Sequence, residues 1–303
     1  MSFFKKVVLT GASGLIGKES VEPLQKSGFE IYALTIDKEN PDIGINWVPC
    51  DLFDAQNLKN VLAEIKPSHL LNFAWATTGD YLTSNINFDF LAAGLNLLKY
   101  FKENGGERAV FAGTCFEYKF KNSPLKETDE TSPETVYAKC KNSLRELAQL
   151  YCAQNGISFG WGRIFYVLGH GENEKRLTAH IINSLKKNKK VIINNGTLIR
   201  DYMYSKDIAG AFVKFLDGKT EGIVNICTGK GITLKDYATM IAAKIGREEL
   251  VAALSETSAQ PPVIIGDNTR LKNEVAYQTA FSTEEAIGNI LNDRTQVICG
   301  RRL

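Results

Sequence analysis

Histidine is nearly missing from this chain: there are three (His69, His170, His180), and the six cysteines (Cys50, Cys115, Cys140, Cys152, Cys227, Cys299) are scattered without a C-x-x-C pair. A structural zinc site needs four such donors at short spacings, so neither a metal nor a disulfide framework is expected. An excess of one charge is lacking too, since Lys+Arg 36 against Asp+Glu 34 leaves a formal net charge of +2 and no Lys/Arg block. That excludes the electrostatic footprint of a nucleic-acid or membrane-surface binder and points to small-molecule partners. No apolar run reaches the length of a membrane span, and the opening "MSFFKKVVLTGASG" passes directly into a strand pattern with no h-region or cleavage site. No internal repeat, Pro-rich linker or low-complexity segment interrupts the chain. The expectation is a soluble cytoplasmic protein.

What is present is an alternation. At 303 residues the chain suits one large domain or two modest ones. "KKVVLTGASGLIGKESVEPLQKSG" reads as a short apolar strand, a glycine turn and a helix whose apolar residues return at helical spacing. Further apolar runs follow at "FEIYALTI", "INWVPCD", "HLLNFAWA" and "RAVFAGT", with helical patterns "NLKNVLAEIK" and "INFDFLAAGLNLLKYFKENG" between the last three. A parallel neighbour needs a long crossover, so strands alternating with helices predict a Rossmann-type α/β fold, a doubly wound parallel sheet. A long helix, "ETVYAKCKNSLRELAQLYCAQNG", then leads to one more strand, "SFGWGRIFYVLG". Beyond it the alternation loosens, and "VIINNGTLIRDYMY" reads as a hairpin or edge strand before "GIVNICTG". Residues 1–165 are therefore read as the dinucleotide-binding domain, with returning segments near 200–230, and 166–303 mainly as a smaller C-terminal substrate lobe.

Gly11, Gly14 and Gly17 stand in "TGASGLIG", after the first strand and at the mouth of a helix. Glycines there permit a tight turn, close approach of a pyrophosphate and close helix packing, while the helix N-terminus offers free N–H donors. The acidic residue that would grip an adenosine ribose belongs at the end of the second strand, where this chain has Thr35, followed by Ile36, Asp37 and Lys38. With neither a carboxylate in that slot nor an arginine beside it, the choice between NAD and NADP stays open. Asp51, ending the third strand, is either a partner for the adenine amino group or a simple turn or N-cap aspartate.

Tyr137 and Lys141 lie four apart in "VYAKCK" and so project from one helix face. An ammonium near a phenol stabilises phenolate and draws the tyrosine pKa down from about 10, which suits proton exchange with a substrate oxygen. At this point the sequence resembles the extended short-chain dehydrogenase/reductases, the NAD(P)-dependent epimerases, dehydratases and reductases of nucleotide-linked sugars. The resemblance spans nearly the whole chain, through "TGASGLIG", "LLNFAWA", "GTCFEY", "YAKCK", "GRIFYVLGHGE", "GTLIRDYMYSKDIAGA" and "GIVNICTGKGITL".

The resemblance implies that Thr114, four residues before Tyr118 as in the family's S-x-x-x-Y pattern, holds the substrate oxygen, that Tyr137 is the acid/base, and that Lys141 tunes it and holds the nicotinamide ribose. It implies cofactor contacts from Gly11, Ser13, Gly14, Leu15, Ile16, Gly17, Thr35, Asp51, Leu52, Phe73, Ala74, Trp75, Tyr137, Lys141 and Phe165. Substrate contacts are implied at Cys115, Phe116, Tyr166 and Arg200, the last on the nucleotide diphosphate, where a guanidinium fork suits two phosphate oxygens. It also implies a homodimer formed through the helices around residues 90–102 and 136–155.

The family's dehydratases place Asp and Glu directly after the catalytic threonine; here those positions are Cys115 and Phe116, which argues against dehydration. Three further departures weaken a 4-epimerase reading: Tyr166 replaces a frequent asparagine, no second diphosphate arginine is apparent around "SAQPPVIIGD", and Thr35 fills the ribose-acid slot. The expectation is reduction of a 4-keto-(6-deoxy)hexose nucleotide in surface-polysaccharide (O-antigen or capsule) sugar biosynthesis. The alternatives are a nucleotide-sugar epimerase and, more remotely, a non-catalytic NAD(P)-binding sensor, against which the intact Thr114, Tyr137 and Lys141 argue. Cys115 has no histidine near it in sequence to generate a thiolate and is read as pocket lining. Trp75 is read equally as a wall of the sugar pocket or as core.

Overall fold

The computed structural model of the protein describes residues 5–36, 44–254 and 259–292. Asp37, Lys38 and Cys299 lie outside them. The first half runs β1 (Lys5–Thr10), α1 (Gly17–Lys26), β2 (Phe29–Thr35), β3 (Asn46–Pro49), α2 (Ala55–Ile65), β4 (His69–Asn72), α3 (Ile86–Glu103), β5 (Arg108–Thr114), α4 (Val136–Asn155) and β6 (Ser158–Ile164). Then come β7 (Tyr166–Leu168), α5 (Leu177–Lys186), β8 (Val191–Ile193), β9 (Ile199–Arg200), β10 (Tyr202–Tyr204), α6 (Ser205–Asp217) and β11 (Gly222–Ile226). The described chain closes with β12 (Ile232–Thr233), α7 (Leu234–Ile245), β13 (Val251–Ala253), β14 (Val263–Ile264), α8 (Thr269–Asn273) and α9 (Thr283–Asn292).

Seven strands form one parallel sheet in the order β11-β6-β5-β4-β1-β2-β3. Successive strand residues point to opposite faces. Val7, Leu9, Val110 and Ala112 accordingly pack with α1 and α6, whereas Val8, Ala109 and Phe111 pack with α2, α3 and α4. All seven residues of β5 are buried, as expected of a central parallel strand covered on both faces. The strand order reverses between β1 and β4, and in open α/β sheets ligands bind in the crevice at such a switch point, beyond the carboxyl ends of the strands. A third cluster, built mainly from α5, α7, α9, β8 and β10, gathers Ile181, Leu185, Tyr202, Tyr237, Ile241 and Ile287.

Two local expectations change. "SFGWGRIFYVLG" is two strands, because the Tyr166 N–H donates to Asp201 O at 3.0 Å and takes the chain out of the main sheet, so that β7 pairs with β10. "VIINNGTLIRDYMY" is no hairpin but holds edge strands: β8 pairs only with β13 and β10 only with β7, in two-stranded sheets, while β9 lies between β12 and β14. The kink between β9 and β10 is held by the buried Asp201, whose carboxylate accepts from Thr228 N–H at 2.9 Å, Thr228 Oγ1 at 2.6 Å and Gly229 N–H at 2.9 Å. Both sets of pairings join residues far apart in the chain, so no local pattern announces them.

Arg108 fastens the far end of β5. Its guanidinium donates to the carbonyls of Leu216 and Thr220, both at 2.7 Å, and to that of Phe215, satisfying groups that the end of α6 leaves open. Replacing it strands buried acceptors, which costs more than a typical hydrogen bond is worth. Arg108→Met is expected to lower unfolding free energy by about 3 kcal/mol, read as a lower urea midpoint at unchanged slope.

Candidate active site

The glycine turn closes on the end of β4. Gly11 has φ +70°, and a Cβ there would lie 2.8 Å from the Ala74 nitrogen; a Cβ on Gly17 would lie 2.0 Å from the Gly11 oxygen. The Gly14 N–H donates back to Gly11 O at 3.0 Å. Thr10 bridges the two strand ends, donating to Asn72 Oδ1 at 2.5 Å and accepting from Ala74 N–H at 3.2 Å. Ile16, the residue before α1, offers no side-chain cap; in the first turn the Lys18 N–H donates to Gly14 O at 3.2 Å and the Glu19 N–H to Ile16 O at 3.1 Å, and the positive end of the helix dipole faces the turn. Ser13 and Gly14 are exposed there, Leu15 and Ile16 half-buried. This glycine cradle under an uncapped helix end fits a dinucleotide pyrophosphate.

Thr35 is buried at the end of β2 beside the highly exposed Ile36. Asp51 is exposed, and its carboxylate accepts from the Phe53 N–H at 2.9 Å, a turn aspartate, while Asp54 caps α2. Leu52 packs at the edge of the core, and Phe73 sits edge-on to Phe212 at 4.9 Å. Trp75 stacks on Phe90 at 5.3 Å, donates from Nε1 to Asn87 Oδ1 at 2.8 Å, and lies edge-on to Tyr137 at 6.3 Å. It thereby ties α3 to the first turn of α4.

The fold brings Thr114, Tyr137 and Lys141 together. β5 outruns β4, Asn72 pairing with Phe111, so Thr114 projects three residues past its neighbour toward α4. Thr135 caps α4 by accepting from the Ala138 N–H at 3.1 Å, and the first turn of the helix carries Tyr137. Burial pushes the Tyr137 phenol up from its ordinary value, and a hydrogen bond with Thr114 pulls it back down. The Lys141 ammonium, also buried, donates to Ala112 O at 2.7 Å and lies 4.0 Å above the Trp75 ring. Burial lowers its pKa to about 7, against which the negative charge of Glu117 works. A threonine hydroxyl and a phenol that share one hydrogen bond, with an ammonium one helical turn behind, can hold one oxygen and exchange one proton with it.

Beyond the strand end, Cys115 is buried among Tyr118, Leu125, Phe165, Cys227 and Ile264, and burial pushes its thiol up, away from thiolate. Phe165 belongs to the same cluster, while Phe116 and Tyr166 are partly buried against it with their rings 6.3 Å apart. Arg200 is buried, not a surface arginine: it lies 5.5 Å over the Tyr166 ring and donates to Ile199 O at 2.8 Å and Gln260 Oε1 at 3.1 Å. Sequence reasoning passed over three residues here. Tyr81 packs edge-on to Tyr137 at 5.1 Å; Gln260 faces Arg200; and burial raises Glu172 to about 7 with one carboxylate oxygen unpartnered. Each sits in a loop whose place against the site is set by distant pairing, and a lone residue in "GHGENEKRL" carries no spacing signal.

The family model described as the NAD dependent epimerase/dehydratase family matches residues 7–227. CDP-abequose synthase of Salmonella typhimurium is 27% identical over 256 residues, covering 78% of this chain and 80% of that protein. GDP-6-deoxy-D-talose 4-dehydrogenase of Aggregatibacter actinomycetemcomitans is 24% identical over 295 residues, covering 93% and 95%. Among solved structures, the UDP-glucose 4-epimerase of Thermotoga maritima with UDP-glucose superposes at a TM-score of 0.85 over 93% of this chain and 96% of that one. At 19% identity that likeness is one of fold.

Gly17→Ala forces a methyl group onto the Gly11 carbonyl. It is expected to cost about 1–3 kcal/mol of stability as overpacking, read in thermal unfolding, and to weaken NAD binding in a fluorescence titration.

Proposed function

Because the chain belongs to the NAD-dependent epimerase/dehydratase family, and so to enzymes that modify nucleotide-activated sugars, we propose that it reduces the 4-keto group of a nucleotide-linked 6-deoxyhexose. The observation that carries this reading is the company Thr114 keeps. A one-oxygen, one-proton device stands at the strand end, and the two residues after it, Cys115 and Phe116, are a buried thiol above its ordinary pKa and a phenyl ring. The acid that follows, Glu117, is fully buried and spends its carboxylate on Arg163, Trp161 and the Thr114 N–H. Among the described residues, none of the three after Thr114 offers a free carboxylate to take a proton from a sugar carbon, while the Tyr137 phenol bonded to Thr114 can pass one proton to a held oxygen. The similarity to a CDP-abequose synthase and to a GDP-6-deoxy-D-talose 4-dehydrogenase supports the same reading.

Gly11, Gly14 and Gly17 with the start of α1 would hold the dinucleotide, and when bound its nicotinamide supplies the hydride. Thr114 and Tyr137 orient the ketone oxygen between their hydroxyls, and Tyr137 passes it the phenolic proton, leaving an alcohol. Lys141 compensates the phenolate that remains. The aromatic walls of Trp75, Tyr81 and Tyr166 exclude water from the sugar, and Arg200 holds the diphosphate, its guanidinium braced by Gln260. Residues 166–303 supply most of this substrate lobe. Offered a panel of 4-keto-6-deoxyhexose nucleotides with NADH or NADPH, the protein is expected to consume reduced cofactor stoichiometrically. Tyr137→Phe should cut turnover about 10²–10⁴-fold while still binding NAD. Interconversion of sugar-nucleotide epimers with no net cofactor oxidation would make it an epimerase instead.

A homodimer through α3 and α4 belongs to the same proposal. The two helices pack together, and they carry three of the exposed large apolar side chains, Phe88, Leu147 and Leu150. Sedimentation equilibrium is expected to give twice the chain mass, and Leu147→Glu with Leu150→Glu to return the monomer; a monomeric parent protein overturns this.

A further inference from the structure

Directly beneath Thr114 lies a charge cluster that the proton-transfer scheme above leaves out. The single 3-10 turn after β5, Cys115–Glu117, swings Glu117 back under the strand end, where it is fully buried. Its Oε1 accepts from the Thr114 N–H at 2.9 Å and from Trp161 Nε1 at 3.0 Å. Its Oε2 accepts from Arg163 Nε at 2.7 Å, and Arg145 Nε stands 3.8 Å away. Gly113 leaves the room for this: a Cβ there would lie 2.0 Å from Trp161 Nε1 and 2.7 Å from Glu117 Oε1. Thr114 Oγ1 in turn accepts from the Phe116 N–H at 3.3 Å, so the turn and the strand end grip each other at both ends.

A buried ion pair is poor value as a source of stability, since an apolar replacement of similar volume is often neutral or better. One carboxylate facing two arginines points to another use. Lys141 is flanked on its own helix by Tyr137 and Arg145, on β5 by the Ala112 carbonyl, and after β4 by the Trp75 ring. Among the described residues that act on its charge, Glu117 is the anion.

We propose that Glu117 is a positioning residue for the proton-transfer group: it pins the Thr114 backbone so that the hydroxyl meets Tyr137, and its carboxylate is the counter-charge of the buried Lys141 ammonium. The proposal rests on the roles read above for Thr114, Tyr137 and Lys141 and adds a residue two places beyond the usual motif. Burial alone takes Lys141 down toward neutrality, and the negative charge of Glu117 opposes that. Without it the ammonium gives up its proton at lower pH, and a phenolate on Tyr137 loses the cation one helical turn away in the physiological range.

The test is the titration of Lys141 by NMR of lysine ε-carbons in the cofactor-free protein, with the resonance assigned by its loss in Lys141→Met. Glu117→Gln is expected to move the midpoint down by about one unit or more. Arg163→Met frees the carboxylate from its main partner and should leave the midpoint unchanged or raise it. The double variant Glu117→Gln with Arg163→Met removes the pair together and decides the matter if the single variant fails to fold; its midpoint falls by less than that of Glu117→Gln. A pair that serves only packing would leave the midpoint of Glu117→Gln and of the double variant at the parent value, or shift both single variants the same way, and either result overturns the proposal. Neither sugar nor cofactor enters this measurement, so its outcome stands apart from whether the enzyme reduces a ketosugar.

Discussion

Strand β5 is anchored at each end by a buried charge, and the geometry of the crevice follows from that. At its start Arg108 takes the carbonyls that α6 leaves open, and at its end Glu117 takes the Thr114 N–H together with Arg163 and Trp161. Between the two, the parallel registers with β4 and β6 are continuous. The strand therefore cannot slide, and its last residue stands at a defined distance beyond β4, against the first turn of α4. A loosely held strand end would leave the threonine free to turn from the phenol, and small displacements of a reacting group are costly in rate.

The same economy of space governs the opposite wall. Gly11 and Gly17 approach each other and the segment after β4 closely enough that side chains at either position would collide with backbone. Thr10 and Asn72 tie these ends together beneath the turn. The glycine cradle and the Thr114 end of β5 thus flank the same switch point, one made by removing side chains and the other by burying polar ones. Between them the Trp75 indole stacks on Phe90, braces Tyr137 and lies under the Lys141 ammonium.

The substrate side obeys a different rule. Its strands are two or three residues long and pair with partners remote in sequence, and their angles are set by single buried polar groups such as Asp201. Arg200 lies next to such a kink, over Tyr166 and against Gln260, so its guanidinium is aimed by tertiary contacts and not by strand geometry. Under the proposed function, substrate preference would be set on this side, where loops and short strands can change without disturbing the main sheet.

By itself the sequence determined whatever depends on local spacing. The alternation of apolar runs and helical patterns, the turn Gly11-Gly14-Gly17 and the four-residue step from Tyr137 to Lys141 are properties of single elements, and periodicity exposes them. Thr114 was legible through the family resemblance, which places it four residues before Tyr118 at the end of an apolar run. Only the tertiary structure decided that "SFGWGRIFYVLG" breaks at Phe165, that three short strands replace a hairpin, and that Glu117 turns inward to Arg163, Trp161 and Arg145. The physical reason is that these features join residues tens of positions apart. A carboxylate in a turn has the same local sequence whether water or two buried arginines receive it, and burial, which changes its chemistry most, is a property of the whole chain.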